Sequence, residues 1–215
     1  MYYLILFLTI SSVPNAGKST FLDAVTNARP KIAPYAFTTI IPNLGVCEIS
    51  GGKKNGGDSM IIADIPGLVE GAHKGIGLGR SFLRHIERCF MIVHIINGDS
   101  SDPVGDYLAI NRELKLFSPV LASKPQVVVL NKIDLENVSR LSQDIQTKLS
   151  KVMSHKRLLT ISASNKVGVD EVITRTYSFL QKLKLDEDRQ KSNGINLSEL
   201  DPERLIDINN IDHVM

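Results

Sequence analysis

Six short apolar runs alternate along this chain with stretches that have the periodicity of amphipathic helices. This alternation constrains the fold most, because it is typical of a parallel β-sheet with helices packed on both faces. We therefore expect an α/β protein with three layers. The predicted strands are residues 2–10, 44–49, 60–65, 90–96, 126–130 and 158–161. The predicted helices are residues 18–27, 79–88, 104–117, 139–155 and 169–185, with Ser139 as the N-cap of the fourth.

One of the six predicted strands should run against the others. Residues 51–57, between the second and third strands, have the sequence Gly-Gly-Lys-Lys-Asn-Gly-Gly. Such a stretch is typical of a hairpin loop, and a hairpin joins antiparallel strands. The sequence therefore predicts a six-stranded, mostly parallel sheet with one antiparallel strand.

The chain length and charge distribution indicate one globular domain followed by a tail. The chain has 215 residues, of which 43% are hydrophobic, so it can form one well-packed core. We place the domain at residues 1–185 and an acidic, polar tail at 186–215, with a short helical pattern at 202–208. The first part has 22 basic and 15 acidic residues, and the second part has three basic and eight acidic residues. The basic part favours an anionic partner such as RNA, but a domain that binds an anionic ligand is also basic, and the tail lying against it is a further alternative.

Neither the apolar start nor the cysteines predict secretion, a membrane span or a metal site. Residues 1–10 lack a basic region and a cleavage site, and they are shorter than the roughly 20 residues that span a bilayer. Cys47 and Cys89 lie in apolar stretches without metal-ligand spacing, so both are predicted to be buried. We expect a monomer of the cytoplasm or of an organelle matrix, mitochondrion or plastid.

A phosphate-binding loop is predicted directly after the first strand. The spacing is that of a Walker A motif, with Ser12 in place of the opening glycine. Backbone N–H groups and a helix N-terminus would surround phosphate oxygens, Lys18 would reach the terminal phosphates, and Ser19 would bind Mg²⁺. The predicted loop consists of Ser12, Val13, Pro14, Asn15, Ala16, Gly17, Lys18, Ser19 and Thr20.

Two further segments suit a metal ion and a γ-phosphate. The first is a threonine-containing loop after the first helix, which would supply a second hydroxyl to the metal. The second follows the third strand, where Asp64 would hold a metal-bound water and the N–H of Gly67 would face the γ-phosphate. The residues are Phe37, Thr38, Thr39, Ile40 and Ile41 in the first segment, and Asp64, Ile65, Pro66 and Gly67 in the second.

A purine-binding segment follows the fifth strand. Asp134 can accept two hydrogen bonds from the ring N–H and amine of guanine, a donor pair that adenine lacks. The N–H of Ala163, after the sixth strand, could donate to the guanine carbonyl. The segments are Asn131, Lys132, Ile133 and Asp134, and Ser162, Ala163 and Ser164. Five segments in this order predict guanine-nucleotide binding at the carboxyl edge of the sheet.

The chain resembles the Obg family of GTPases. The resemblance rests on Pro14-Asn15-Ala16-Gly17-Lys18-Ser19-Thr20, on Phe37-Thr38-Thr39 with Pro42-Asn43-Leu44-Gly45, and on residues 64–79 followed by Phe82-Leu83-Arg84-His85-Ile86-Glu87-Arg88. It covers about residues 10–185, without the family's glycine-rich N-terminal domain. It implies a P-loop NTPase fold, GTP hydrolysis with Mg²⁺, and a partner in the maturing large ribosomal subunit.

The resemblance also implies roles for single residues. Lys18, Thr39 and Gly67 would act in catalysis, while Ser19, Thr39 and Asp64 would form the Mg²⁺ site. Asn131, Lys132, Asp134 and Ala163 would hold guanine. Ser12 and Val13 are the two loop residues that depart from the family pattern.

The residue after Gly67 is Leu68, where Ras-type GTPases have a glutamine that orients the attacking water. Slow turnover is therefore expected, with the water positioned by backbone groups, by a partner, or by K⁺ near Asn15. Gly71, Gly75, Gly77 and Gly79 suit a segment that reorganises on nucleotide binding, or a flexible surface loop. The alternatives are a nucleotide-binding module without hydrolysis and an ATP-using enzyme, the latter disfavoured by Asp134.

Overall fold

The computed structural model describes residues 3–8, 16–26, 43–49, 59–64, 87 and 89–192. In this part of the chain, the strands are β1 Tyr3–Leu8, β2 Asn43–Glu48, β3 Ser59–Asp64, β4 Ile92–Asn97, β5 Gln126–Asn131 and β6 Leu158–Thr160. The helices are α1 Lys18–Val25, α2 Pro103–Phe117, α3 Pro119–Ala122, α4 Glu136–Val152 and α5 Val169–Ser192. All six predicted strands are confirmed, with ends within three residues of their expected positions.

The six strands form one sheet in the order β2-β3-β1-β4-β5-β6. β1 pairs in parallel with both β3 and β4, and β5 pairs in parallel with β4 and β6. β2 pairs antiparallel with β3, from Asn43 opposite Asp64 to Glu48 opposite Ser59. The prediction of a mostly parallel sheet with one antiparallel strand is therefore confirmed.

Helices cover both faces of the sheet, so the predicted three layers are present. On one face, side chains of α1 and α5 pack against β4 and β5, with Phe21, Val93, Val129 and Leu180 in the same buried cluster. On the other face, α2 and α4 pack against the alternate residues of these strands. Successive side chains of β4 and β5 point to opposite faces of the sheet, so each helix layer packs against a separate set of apolar side chains.

The fourth helix begins earlier than its sequence pattern predicts. Ser139 was predicted as the N-cap, but its N–H donates to the carbonyl of Leu135 at 2.8 Å, so it lies inside α4. Leu135 is the N-cap and makes no side-chain capping bond, while Glu136 supplies the acidic residue that favours a first turn. The prediction was wrong because serine is favoured at an N-cap but also occurs inside helices, so its presence alone does not fix where a helix begins.

The last helix continues past its predicted end at Leu185. Its apolar pattern fades there, but α5 extends to Ser192. The added turns are rich in charged and long side chains, and Arg189 Nη1 lies 3.9 Å from Asp186 Oδ1. Such residues form helices without a buried face. The predicted helices at 79–88 and 202–208 lie outside the described residues, apart from Glu87.

Both cysteines are buried, as predicted. Burial raises the pKa of Cys89 to about 12, so its thiol is protonated and unreactive at neutral pH. Among the helices that the structure describes, none combines the length and hydropathy needed to cross a bilayer.

Candidate functional site

The N-terminus of α1 has the geometry of an anion-binding site. Gly17 is the N-cap, with φ 87° and ψ 23°, and no side chain caps the helix. The first hydrogen bond of the helix runs from Phe21 N–H to the Gly17 carbonyl at 2.8 Å. The N–H groups of the first helical turn therefore point out of the helix end, where the helix dipole also favours negative charge.

Glycine is required at position 17 for two reasons. Its φ of 87° is in the left-handed region, which a side chain disfavours. A Cβ there would also overlap the Nδ2 atom of Asn131, at the end of β5. Ala16 and Gly17 can therefore lie against the end of β5 only because residue 17 has no side chain.

Asn131 connects this loop to the segment after β6. Its side chain is buried, and Nδ2 donates to the carbonyl of Ala16 at 2.9 Å. Its Oδ1 accepts from the N–H of Ala163 at 3.0 Å. One amide side chain thus holds the phosphate-loop end and the predicted base-binding segment together, at the carboxyl edge of the sheet.

Asp134 lies beside the same edge with its carboxylate exposed and ionised. Ser164 Oγ donates to Asp134 Oδ2 at 3.3 Å, and the hydroxyls of Ser162 and Ser164 are 3.1 Å apart. The hydroxyl of Ser162 first, and that of Ser164 with less effect, keep the pKa of Asp134 below its usual value. The carboxylate is therefore a fixed hydrogen-bond acceptor at neutral pH.

The backbone around Asp134 is shaped by local turns. Lys132 has φ 70°, a left-handed conformation that turns the chain out of β5. The N–H of Ile133 donates to the carbonyl of Ile161 at 3.2 Å, which ties this turn to the end of β6. Both segments of the predicted base site are thus held by main-chain hydrogen bonds.

The segment after β6 is a closed turn. Ser162 and Val167 exchange two main-chain hydrogen bonds of 3.0 Å, and Asn165 N–H donates to Ser162 Oγ at 3.1 Å. Gly168 has φ 73°, and a Cβ there would lie 2.7 Å from the Thr160 carbonyl. This packing fixes the position of Ala163 relative to Asn131.

Asp64 ends β3 at the same edge of the sheet. β3 is parallel to β1, and Asp64 is opposite Phe7 in the register. Because the carboxyl ends of parallel strands meet at one edge, Asp64 lies beside the strand that leads to α1. The described residues thus place a helix N-terminus, Ser19 in its first turn and Asp64 at a strand end on one edge, and residues of these types can hold phosphate and Mg²⁺.

Several predicted site residues lie outside the described residues. These are Ser12, Val13, Pro14, Asn15, Phe37, Thr38, Thr39, Ile40, Ile41, Ile65, Pro66 and Gly67. The described site residues come from the ends of three parallel strands and the start of α1. All of these described residues lie at one edge of the sheet.

The sequence patterns did not indicate the end of β4 as part of this edge. Asn97 is buried opposite Asn131 in the register, and its Oδ1 accepts from Asp99 N–H at 3.1 Å. Gly98 N–H donates to the Asn131 carbonyl at 3.1 Å, and a Cβ at Gly98 would lie 2.6 Å from that oxygen. The pair Asn97-Gly98, directly after an apolar strand, is the feature of the sequence that could have indicated this position.

Comparison with known proteins identifies the family. The family model described as "50S ribosome-binding GTPase" matches residues 9–132, which include the phosphate loop and most of the strands. The chain belongs to this GTPase family. The residues from Ala16 to Asn131 that form the described phosphate-loop contact fall within the match.

Curated relatives within the family are Obg proteins, so the resemblance seen in the sequence is confirmed. The chain is 49% identical to GTPase Obg of Roseiflexus castenholzii over 173 residues, which is 79% of this chain and 38% of that protein. It is 44% identical over 182 residues to a protein of Oryza sativa named as a probable chloroplastic GTP-binding protein, covering 85% of this chain and 23% of the relative. The chain thus spans less than half the length of these relatives.

Solved structures of other GTP-binding proteins share the fold. Era, in complex with MgGDPNP and a fragment of 16S ribosomal RNA, has a TM-score of 0.53 and 24% identity, covering 84% of this chain and 56% of that one. A Sulfolobus solfataricus GTP-binding protein in complex with GDP has a TM-score of 0.61 and 16% identity, covering 84% and 53%. The P-loop GTPase fold expected from the sequence is therefore confirmed.

Proposed function

We propose that this chain binds GTP with Mg²⁺ and hydrolyses it to GDP and phosphate, as a slow molecular switch. The observation that carries the proposal is the double hydrogen bond of Asn131, to Ala16 on one side and Ala163 on the other. It holds a phosphate-binding helix end and a base-binding turn at one edge of the sheet. A nucleotide has its phosphates and base at opposite ends, and so fits this arrangement.

The phosphate end of the site would use residues of the loop and of α1. Amides at the start of α1 bind phosphate oxygens, and the Lys18 ammonium neutralises the terminal phosphates. Ser19, Thr39 and Asp64 are the residues that would hold Mg²⁺. When bound, Mg²⁺ neutralises charge that develops on the phosphate oxygens. Gly67 N–H contacts the γ-phosphate.

The base end of the site would select guanine through Asp134. Its carboxylate accepts hydrogen bonds from the ring N–H and the amine of guanine, and the serine hydroxyls keep it ionised. Adenine has no matching donor pair, so its binding leaves a desolvated carboxylate unpaired. The N–H of Ala163 donates to Asn131 Oδ1 at 3.0 Å, so its predicted bond to the guanine carbonyl would require this contact to be exchanged or shared.

Turnover by the isolated chain is slow because Leu68 cannot orient a water molecule. Backbone groups, a partner, or K⁺ held near Asn15 take over this role. A comparison of the hydrolysis rate in K⁺ and Na⁺ buffers tests the cation: equal rates would exclude it.

The partner that we propose is a ribosomal particle. Two observations support it: the family model is described as ribosome-binding, and the fold neighbour Era is bound to ribosomal RNA. Maturation of the large subunit is the process implied by the Obg resemblance. The compartment is the cytoplasm or an organelle matrix, and the chloroplastic relative favours a plastid as one option.

The deciding experiment is multiple-turnover phosphate release by the purified chain with Mg²⁺. We expect release from GTP and none from ATP. The matched variant is Asp134→Asn, which should lose GTP turnover and gain turnover of xanthosine triphosphate, whose base carries a carbonyl where guanine has its amine. Binding of GTP without release of phosphate would instead favour the non-hydrolysing module.

A further inference from the structure

The edge of the sheet opposite Asn131 carries a group of basic side chains. The amino ends of β5 and β6 lie at this edge. The last turns of α2 and α4 lie there as well, because each helix returns the chain from the carboxyl ends of the strands to the start of the next strand. We call this group the basic rim, and it consists of Lys115, Lys124, Lys151, Lys156 and Arg157.

Two hydrogen bonds of Arg157 join the strand starts that carry part of the basic rim. The N–H of Val128 donates to the Arg157 carbonyl at 2.9 Å, and Arg157 Nε donates to the carbonyl of Gln126 at 2.9 Å. The start of β6 is therefore next to the start of β5, which Lys124 precedes by two residues. Lys151 lies in the last turn of α4, and Lys156 lies in the short connection from α4 to β6.

The rim lysines are not paired with carboxylates within the described part of the chain. Lys115, Lys151 and Lys156 are exposed, and none of the four rim lysines forms a salt bridge with another described residue. The nearby Glu87 accepts a hydrogen bond from Ser118 Oγ at 2.6 Å. By contrast, Arg140 and Arg175, near the other ends of α4 and α5, each pair with a glutamate four residues earlier.

The side chain of Arg157 is held in one orientation by two contacts. Its Cζ lies 4.4 Å above the ring of Phe179, and its Nε bond to Gln126 sets the orientation of the guanidinium plane. A guanidinium held in this way loses little side-chain entropy when it binds an anion. The surrounding lysines supply mobile point charges.

We propose that the basic rim binds the phosphate backbone of RNA. It would be a second contact surface, at the amino ends of the strands, whereas the nucleotide binds at their carboxyl ends. This inference rests on the proposed ribosomal partner, since it states which surface of the chain meets that partner. Ammonium and guanidinium groups that bind phosphates give affinity without base specificity and with strong salt dependence. The contact therefore positions the switch on RNA but does not read its sequence.

The test compares two double variants of the full chain that change the net charge equally. Lys151→Glu/Lys156→Glu alters the basic rim, and Arg140→Glu/Arg175→Glu is the control at the other ends of the helices. The probe is a fluorescent RNA duplex of 20 base pairs, whose binding is followed by anisotropy between 50 and 200 mM KCl. Lys124→Glu/Lys156→Glu serves as a second rim variant if the first does not fold.

The rim variant should bind RNA at least tenfold more weakly at 50 mM salt. It should also reduce the slope of log affinity against log salt by about two, one for each phosphate that the variant no longer binds. The control should change affinity less than threefold. Equal reductions in both variants, tighter binding of a matched DNA duplex, or unchanged binding in the rim variant would overturn the proposal. GTP turnover, measured in parallel, reports separately on the proposed function.

Discussion

The side-chain amide of Asn131 donates to the main-chain oxygen of Ala16, a residue 115 positions earlier, at 2.9 Å. Its other polar atom accepts from Ala163 at 3.0 Å. Both contacts are buried, so neither Ala16 nor Ala163 can exchange its partner for water without rearrangement. The phosphate and base ends of the candidate site are therefore coupled through one side chain.

Replacing this side chain should affect stability and binding together. In Asn131→Ala, two buried main-chain groups lose their partner, which we expect to cost about 3 kcal/mol of unfolding free energy. GDP affinity should fall about a hundredfold if the site is held in shape by these bonds. Urea unfolding and calorimetric titration measure the two effects.

The control for this variant is Asn111→Ala. Asn111 accepts from Gln126 Nε2 at 3.0 Å and donates to the Tyr107 carbonyl at 2.9 Å, in a network distant from the carboxyl edge. It should lower stability while GDP affinity stays within about twofold. A similar loss of affinity in both variants would mean that general destabilisation, not the coupling, accounts for the result.

A side chain at position 17 should disturb the phosphate end more than the base end. Gly17→Ala places a Cβ on Asn131 Nδ2 and forces a left-handed φ of 87°. We expect affinity for GDP to fall about tenfold or more, and affinity for guanosine, which has no phosphate, to change less. Gly168→Ala is matched in strain, with φ 73° and a contact of 2.7 Å to the Thr160 carbonyl. Gly168→Ala should lower the affinities for GDP and guanosine by the same factor. A larger loss for GDP than for guanosine in Gly168→Ala, with equal losses in Gly17→Ala, would contradict this explanation.

His94 should make the fold sensitive to acid. It is fully buried in β4, stacks on Tyr107 at a centroid distance of 5.1 Å, and neither ring nitrogen has a hydrogen-bond partner among the described residues. Burial first, and His155 second, lower its pKa to about 3. Because the unfolded chain binds this proton near pH 6.5 and the folded one does not, stability should fall by up to about 1.4 kcal/mol per pH unit below 6.5.

The variant His94→Leu tests this. It should be at least as stable as the parent at pH 8, because an unbonded polar ring is replaced by an apolar side chain of similar size. Between pH 6.5 and 4, the slope of its unfolding free energy against pH should be smaller by the amount that corresponds to the uptake of about one proton. Chemical denaturation at a series of pH values gives both quantities, and an unchanged slope would assign the acid sensitivity to other groups.

The sequence predicted the sheet well because its signal is local. Apolar runs and a glycine-rich hairpin indicated all six strands and the antiparallel β2, and the motif order indicated the edge at which Gly17 and Asp134 lie. Contacts between distant segments had no such signal. Asn131 was predicted only as a guanine contact, and its bonds to Ala16 and Ala163 follow from strand order, which no local pattern contains.

Helix ends were predicted less well, for a different physical reason. Ser139 satisfies the preference for a capping residue, but Glu136 and Asn137 already form the first turn of α4. α5 continues to Ser192 through charged residues that have no apolar periodicity. Capping and periodicity each contribute about 1 kcal/mol or less per residue, so packing and neighbouring turns readily move a boundary.

Removing the hydroxyl of Ser162 should shift the pH at which guanine binding is lost. This hydroxyl is the largest cause of the lowered pKa of Asp134, and Ser164 contributes less. The parent chain should bind GDP with constant affinity down to about pH 4, because the carboxylate stays ionised there. In Ser162→Ala the pKa rises, so affinity should begin to fall at a higher pH, whereas Ser164→Ala should show a smaller shift. Since Ser162 Oγ also accepts from Asn165 N–H, a loss of affinity equal at all pH values would instead indicate that the turn has moved.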